Sequence, residues 1–523
     1  MNGDSALLPR DGYRVPAARM RALPGPWRWP VAGNMLQLAP GAVHRTLEDW
    51  ALRYGPVYRM RFGAYRALGI SHPGLIELVL RHRPLLFSRS PRISGLINEL
   101  GFQGVFTAEG ETWRRQRKMV MRALTPEAIR AFFPVILAVT RRLEARWRAA
   151  VAAGRQPDIA RDLKCYSIDV TTWLAMGVDI DTLNDEGNRL QADVETWFAT
   201  VGRRLPRMFS YWRYVKLAQD RRSDAAVARI HVTVDAMIAG ARAGLDADPA
   251  RRARPRNIID ALVAARDEPG SGFSDEDVRG NVAVMLFAGE DTTANAMCWL
   301  LYHLASEPPA AAAAAASADA LLGAATVMDR FAGLAGLAYL EAAAVESMRL
   351  KPIAPVQSMY ANVDLQLAGL HVPRGTLLFL LPRVQATHAQ NFPDPLRFAP
   401  QRWMEGARGD RAHGADAGGS AAVDRDGKGS EAPGIDAQGS DEQGGEGGAR
   451  TMFPFGGGPR YCPGRYLAMV EMKMVIAMVL RNFQVQLDGP ADAVHESLSF
   501  TMAPARLPLR LVLRPPALPA AAP

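Results

Sequence analysis

Apolar residues recur at helical spacing through most of residues 73–305, and this pattern predicts a mainly helical region. Before it, residues 55–71 alternate apolar and polar side chains around a central glycine, which is typical of a β-hairpin. After it, helices are predicted at about residues 335–352 and 465–483, with short strands between them and in the C-terminal tail. The pattern therefore predicts a mainly α fold that carries small β-sheets.

The longest predicted helix begins near Ser274. A serine is a favourable N-cap, and the carboxylates of residues 275–277 suit the positive end of the helix dipole. Residues 90–110 interrupt the helical pattern and are interpreted as a loop. The alanine-rich residues 308–319 allow either a loop or an extra helix.

Residues 405–450 are rich in Gly, Asp, Glu and Ser and have almost no large apolar side chains. Such a segment buries too little surface to offset its ordering entropy, so we expect a disordered insertion. We interpret residues 1–523 as a single domain. It has an irregular lead-in at residues 1–22 and a frayed Pro/Ala-rich tail at residues 514–523.

The chain is moderately basic, with a net charge of +9 over 523 residues. No dense basic tract with interleaved aromatics occurs, so an acidic protein partner is favoured over nucleic acid. Three cysteines far apart in sequence suit a reducing compartment. No apolar run has the length of a signal peptide or membrane span, so the sequence predicts a cytoplasmic protein without a transmembrane anchor.

One cysteine, Cys462, lies in a glycine-rich turn, "FPFGGGPRYCPGRYLA", at residues 453–468. Zinc and iron–sulfur sites need several close ligands, and a phosphate loop needs a Gly-Lys-Ser/Thr ending. No histidine base can be assigned to make Cys462 a nucleophile. A single thiolate ligand to a haem iron agrees better with the turn.

This interpretation gives the neighbours of Cys462 a purpose. Phe455 would shield the sulfur from water, and Arg460 would pair with a haem propionate. The turn also holds glycines whose missing side chains would let the backbone approach a flat porphyrin: Gly456, Gly457, Gly458 and Gly464.

Halfway along the long predicted helix, an apolar run is interrupted by "AGEDTT", Ala288 to Thr293. These polar residues cover more than one side of the helix, so part of them is compatible with an ordinary exposed face. Alternatively, Gly289 opens a groove, and the Thr292 hydroxyl bonds to the Ala288 carbonyl beside the Asp291 carboxylate. That arrangement would form a proton relay.

The spacing Phe455-x-x-Gly458-x-Arg460-x-Cys462-x-Gly464 resembles the haem-binding signature of the cytochrome P-450 monooxygenases. The resemblance extends over roughly residues 23–514. It implies the cytochrome P-450 fold, with a long central helix and a cysteine-ligand loop. It also implies haem b (iron protoporphyrin IX), with Cys462 as the axial ligand of the iron.

The resemblance further implies an enzyme that inserts one atom of O2 into a lipophilic substrate. A fatty acid, terpenoid or polyketide-like molecule would suit, and fatty acyl chains are ranked first. Two electrons would come from NAD(P)H through a separate ferredoxin or flavodoxin with its reductase. The alternatives are a peroxide-driven oxygenase and a haem-binding sensor or carrier without turnover. The substrate pocket would be lined by residues 88–110, residues 190–215, the segment after Pro352 and residues 500–505.

Other residues take roles from the same resemblance. The oxygen-activation motif corresponds to residues 288–293, with Ala288 and Gly289 beside the cofactor and Asp291 and Thr292 catalytic. Glu346, Arg349 and Arg402 would form a network that maintains the fold. Trp113 and Arg117 would contact a propionate, although without the resemblance an amphipathic helix with a basic face is the favoured explanation. A docking surface for the electron donor is assigned to four basic residues: Arg114, Arg115, Lys118 and Lys473.

Three positions depart from the family pattern. An arginine that commonly binds a propionate would fall at Met359 or Tyr360. The usual His-Arg-Asp of the coil is replaced by residues 385–387, Gln-Ala-Thr, and Gln401 stands in place of a glutamate.

Overall fold

A computed structural model describes residues 7–404, apart from 186 and 208, and residues 451–515. The predicted disordered insertion at 405–450, the first six residues and residues 516–523 lie outside this part of the chain. The described residues form helices around one large apolar core, with a smaller sheet and its own core to one side.

The helices are bounded as follows: α1 Val43–Tyr54, α2 Pro73–Arg81, α3 Pro91–Glu99, α4 Gly110–Ala123, α5 Pro126–Ala152, α6 Ile159–Met176, α7 Leu190–Arg204, α8 Ala218–Ala247, α9 Ala250–Ala253, α10 Ile258–Asp267, α11 Asp275–Ser306, α12 Pro308–Leu322, α13 Ala338–Leu350, α14 Pro382–Ala386 and α15 Arg465–Asn482.

The strands are β1 Val57–Phe62, β2 Tyr65–Ile70, β3 Phe87–Arg89, β4 Gln357–Ala361, β5 Leu365–Leu367, β6 Leu370–Val372, β7 Leu377–Leu380, β8 Phe483–Leu487, β9 Glu496–Leu498, β10 Met502–Pro504 and β11 Leu509–Leu513. The largest sheet has the order β1-β2-β7-β4-β3, and β1 and β2 form the predicted hairpin. Three two-stranded sheets pair β10 with β9, β11 with β8 and β5 with β6. The expected mainly α fold with small sheets is confirmed.

Helix α11 is the central element of the large core. Ser274 caps it, accepting a hydrogen bond from the Asp277 backbone N–H, and the Asp277 side chain accepts one from the Ser274 backbone in return. Most residues of α11 are buried, because α6, α10, α13 and α15 surround it. A helix enclosed in this way needs no continuous polar face.

Two segments for which the sequence did not predict a definite helix are helical. Residues 91–99, interpreted as part of a loop, form α3, which begins with Pro91 at its first position. The alanine-rich segment is helix α12. Its buried residues Ala310, Ala314 and Ala318 are spaced one turn apart and pack against the core, so alanine serves here for close helix packing.

No single helix in the described ranges is long and apolar enough to cross a membrane. One bent pair of helices, residues 110–121 with 126–152, is long and apolar enough when the two are counted together, by length and composition alone.

Candidate active site

Cys462 lies in the loop between a short 3-10 turn, Gly458–Arg460, and the start of α15. Its backbone N–H donates to the Phe455 carbonyl at 2.9 Å, which closes the loop. Burial raises the pKa of the Cys462 thiol, while the backbone N–H groups of Gly464 and Arg465 and the charge of Arg117 favour the thiolate. The sulfur-bearing residue is partly accessible, whereas Cys165 and Cys298 are buried.

The glycines of this loop have different structural reasons. Gly456 and Gly458 have φ of 74° and 63°, a region that side chains disfavour. A Cβ on Gly458 would overlap the backbone of α2 at Leu80, so this glycine is required by the neighbouring helix. Gly457 has an extended backbone and space for a Cβ. The packing of α2 therefore gives Gly458 a structural reason of its own, and the approach of a porphyrin to these glycines stays a prediction.

Helix α4 brings its aromatic and basic residues to the cysteine loop. The Arg117 guanidinium donates to the Tyr461 carbonyl at 2.6 Å, beside Cys462. Trp113 is buried, and the Arg460 guanidinium carbon lies 4.5 Å from its ring centroid. Arg460 also donates to the Ala108 carbonyl at 2.7 Å and pairs with Glu109. Two motifs that are far apart in sequence therefore contribute neighbouring residues to one site: Trp113 and Arg117 from α4, and Arg460 from the cysteine loop.

Positive charge is concentrated and incompletely paired at this position. Arg83 and Arg89 lie beside Arg460, and Glu109 is the carboxylate that reaches all three. Two buried side-chain nitrogens of Arg83 and one of Arg460 have no hydrogen-bond partner in the part of the chain that the structure describes. Buried cations in this condition call for an added anion. Together with an accessible cysteine beside backbone donors, they fit a haem with two propionates.

Arg83 and Arg89 were missed by the sequence analysis. Arg89 in β3 pairs in register with Met359 of β4, and Met359 or Tyr360 is the position at which the family pattern would have an arginine. The strand pairing therefore brings a guanidinium next to the position where the sequence lacks one.

The acid–alcohol segment lies mid-way along α11. The Thr292 hydroxyl donates to the Ala288 carbonyl at 2.6 Å. Ala288 is exposed and Thr292 partly exposed, although the residues on either side of this turn are buried. Gly289 meets α6, where a Cβ would overlap the Thr171 hydroxyl. The accessible face therefore carries a hydroxyl and a small residue one turn apart.

Asp291 points to a different neighbour. The hydroxyl of Thr501, in the turn before β10, donates to the Asp291 carboxylate, and the Asn295 amide donates to Thr501 at 3.1 Å. Burial raises the pKa of Asp291, which the hydrogen bond from Thr501 partly offsets. Thr501 was expected only as part of the pocket lining at residues 500–505, and Asn295 carries no motif, so sequence reasoning missed their hydrogen bonds around Asp291.

The predicted Glu346–Arg349–Arg402 network is present. Arg349 binds Glu346 through two hydrogen bonds of 2.8 Å, both side chains are fully buried, and Arg402 reaches Glu346 at 3.2 Å. The Trp403 indole completes it at 2.8 Å from Glu346. At the position of the missing His-Arg-Asp, the Ala386 carbonyl accepts from Arg349 at 2.7 Å. Every strong donor and acceptor is paired, as a buried ion pair requires.

Three members of the predicted docking surface, Arg114, Arg115 and Lys118, are exposed on α4, and their role in docking stays a prediction. The inclusion of Lys473 is wrong. Lys473 is 9% exposed, and its ammonium donates to Glu341 at 2.8 Å. Helix α15 is buried nearly all round, so its one lysine is held inside by a carboxylate of α13.

An aromatic cluster joins the segments expected to line a substrate pocket. Trp197 of α7 stacks on Phe287 of α11 with ring centroids 4.3 Å apart, and Phe102 contacts Phe287 at 4.6 Å. Phe106 and Phe500, which are both partly buried, contact each other at 5.8 Å. Phe500 directly precedes Thr501, so the aromatic wall adjoins the residue that holds Asp291.

Comparisons with known proteins agree with this geometry. The sequence profile described as Cytochrome P450 matches residues 23–510. Cyclooctatin synthase from Streptomyces melanosporofaciens is 26% identical, covering 95% of this chain and 99% of that protein. Cyclooctat-9-en-7-ol 5-monooxygenase from the same organism is 25% identical, covering 83% of each.

Human mitochondrial 25-hydroxyvitamin D-1 alpha hydroxylase is 25% identical, covering 89% of this chain and 86% of that protein. A solved structure, a mutant heme domain of cytochrome P450DA, has a TM-score of 0.75 at 22% identity, covering 94% of this chain and 98% of that one. The fold is therefore that of a cytochrome P450. With the profile matching nearly the whole sequence and the cysteine loop in place, the chain belongs to the cytochrome P450 family.

Proposed function

We propose that this cytochrome P450 monooxygenase oxidises a carbocyclic, lipophilic alcohol, and that Asp291 and Thr292 deliver the protons of the reaction. The observation that carries the proposal is the contact of Asp291 with Thr501, because it places a buried acid next to the aromatic wall. One relative is a cyclooctat-9-en-7-ol 5-monooxygenase, which supports this substrate class. A linear fatty acid, ranked first on sequence, is the competing class.

Haem b is the cofactor we assign to the site. Cys462 would hold the iron, and Arg460 with Trp113 would hold the propionate edge. When bound, the haem supplies the thiolate-ligated iron at which O2 is activated and one oxygen atom is inserted into the substrate.

The chain's own residues supply positioning and protons. The Thr292 hydroxyl donates its hydrogen to the Ala288 carbonyl. Its oxygen can therefore accept a hydrogen bond on the accessible face. Burial raises the pKa of Asp291, which favours the protonated carboxyl needed by the adjacent proton donor. Trp197, Phe287 and Phe500 exclude water from the substrate side.

Electrons are proposed to come from a separate ferredoxin or flavodoxin. Arg115 and Lys118 lie on α4, the same helix that contacts the cysteine loop through Arg117. An acidic donor bound there would approach the cofactor side of the molecule, and charge complementarity would accelerate its arrival.

The relay is tested with Thr292→Ala by comparing product formed with NAD(P)H consumed. We expect the thiolate spectrum to be retained and product per NAD(P)H to fall, because the hydroxyl that orders the proton path is lost. Thr233→Ala on α8, whose hydroxyl makes the same backbone bond at an exposed position, is the matched control. Equal coupling in both variants would remove Thr292 from the mechanism.

Substrate class is tested by the spin-state shift of the haem on titration. A shift with cyclooctat-9-en-7-ol and none with a long-chain fatty acid is expected. The opposite result would restore the fatty acyl class.

A further inference from the structure

A polar seam runs between three helices on the side of α11 away from Thr501. On α6, Lys164 and Thr171 are two turns apart and share a face. On α7, Gln191 and Glu195 are one turn apart and share a face. Both faces meet α11 at Glu290, the residue at the variable position of the "AGEDTT" segment.

Glu290 is the inner end of this seam. It is fully buried, and its carboxyl approaches the Gln191 side chain without a hydrogen bond of full geometry within the described residues. The Thr171 hydroxyl, against which Gly289 packs, is also buried without a partner. Buried polar atoms in this condition are ordinarily satisfied by ordered water. Burial, followed by the charge of Asp291, raises the pKa of Glu290 well above its usual range.

The outer end of the seam opens to solvent. The Lys164 ammonium donates to Glu195 at 2.9 Å, and their side chains are 19% and 56% exposed. Burial lowers the pKa of Lys164, but Glu195, and then Asp291 and Glu290, raise it overall. Lys164 thus interacts electrostatically with both the exposed carboxylate and the two buried acids.

We propose that Glu290 is a second proton-relay residue, which reprotonates Asp291 and is itself reprotonated from solvent through the Lys164–Glu195 pair. Each proton that Asp291 gives up is replaced by the proton of the Glu290 carboxyl, and Glu290 takes one from solvent. No other reactant is needed. The groups that face Glu290 are Asp291, Lys164, Glu195 and Gln191. The inference rests on the proposed role of Asp291.

The protonation state is measured by infrared spectroscopy on the full-length holoprotein at neutral pH. A carbonyl stretch of a buried protonated acid should be present in the wild type, shift in D2O, and be lost in Glu290→Gln. Glu276→Gln makes the same chemical change on an exposed turn of α11 and should retain the band. Retention of all such bands in Glu290→Gln would overturn the proposal.

The route by which protons reach Glu290 from solvent is tested by the rate at which the infrared band of Glu290 shifts after transfer to D2O. Lys164→Met should slow this exchange, because the surface end of the seam is then apolar. Exchange at the wild-type rate would exclude Lys164 and Glu195 from the route.

The functional test compares the rate of product formation of each variant at saturating substrate. Glu290→Gln should slow it about tenfold, less than the about 100-fold expected from removing the direct acid in Asp291→Asn. It should also enlarge the solvent isotope effect, which a purely structural change would leave unaltered. If Asp291→Asn slows the reaction and Glu290→Gln matches Glu276→Gln, the inference fails while the proposed function stands. If Asp291→Asn also has no effect, the proposed function fails.

Discussion

Asp291 and Thr292 are sequence neighbours in different surroundings. Thr292 is partly accessible and bonded to its own helix, whereas Asp291 is buried and bonded to Thr501 in the C-terminal β region. The direction of the Asp291 carboxyl is therefore set by a residue more than 200 positions away in the chain. At the residue scale, the proposed relay depends on that contact.

Thr501→Val is expected to lower product per NAD(P)H without altering the thiolate spectrum, because Asp291 loses the donor that orients it. One hydrogen bond to a carboxyl group corresponds to about 1–3 kcal/mol, so the effect on the rate should be about 10- to 100-fold. Steady-state turnover measures it. Ser499→Ala in the same turn keeps the backbone bond to Thr501 and serves as control. A loss of coupling of the same size in both variants would assign the effect to the turn and contradict a specific role for Thr501.

At the scale of elements, the cysteine loop is held between α2 and α4. Gly458 lies against the α2 backbone, and Arg117 of α4 binds the carbonyl next to Cys462. The loop is thus fixed by helices that precede it by more than 300 residues. Its geometry is a property of the packed fold.

Gly458→Ala should destabilise the protein, since it combines a left-handed backbone with overlap on Leu80. The two costs are about 1–2 kcal/mol for the conformation and about 1–3 kcal/mol for the overlap. Gly457→Ala, with extended backbone and room for a methyl group, is the matched control. The free energy of unfolding in denaturant distinguishes them, and equal stabilities would contradict the assigned contact.

The sequence predicted those features of the fold and site that are formed by residues close together in the chain. The Cys462 turn, the capped start of α11, the β1–β2 hairpin and the Glu346–Arg349 pair each depend on residues close in sequence. It could not predict the site contacts of Arg89 or Thr501, because these arise through strand pairing and long-range packing. Lys473 was misplaced for the same reason, since the carboxylate that keeps it inside belongs to another helix.

At the scale of the whole molecule, charge is distributed unevenly around the cofactor site. Arg83, Arg89 and Arg460 are gathered inside, and Arg114, Arg115 and Lys118 lie outside on α4. The inner group suits a bound anion, while the outer group is available to a partner. The predicted insertion at residues 405–450 precedes the cysteine loop in sequence and lies outside the described residues.

Reversing two charges, Arg115→Glu with Lys118→Glu, should slow reduction by an acidic ferredoxin by about tenfold or more at low ionic strength. The effect should fade as salt is added, because the charges are exposed. Arg330→Glu changes a cation whose side chain is 84% exposed between α12 and α13, and it is the control. Stopped-flow reduction at several salt concentrations measures the difference. Slowing of equal size in the control would contradict a local docking surface on α4.

The central claim is thiolate ligation of a haem by Cys462, and the spectrum of the reduced, CO-bound protein tests it most directly. We predict a Soret band strongly shifted to longer wavelength in the wild type and lost in Cys462→Ala. Cys298→Ala, at a buried cysteine remote in sequence, should keep it. A shifted band that persists in Cys462→Ala, or a wild-type protein that binds no haem, would contradict the account.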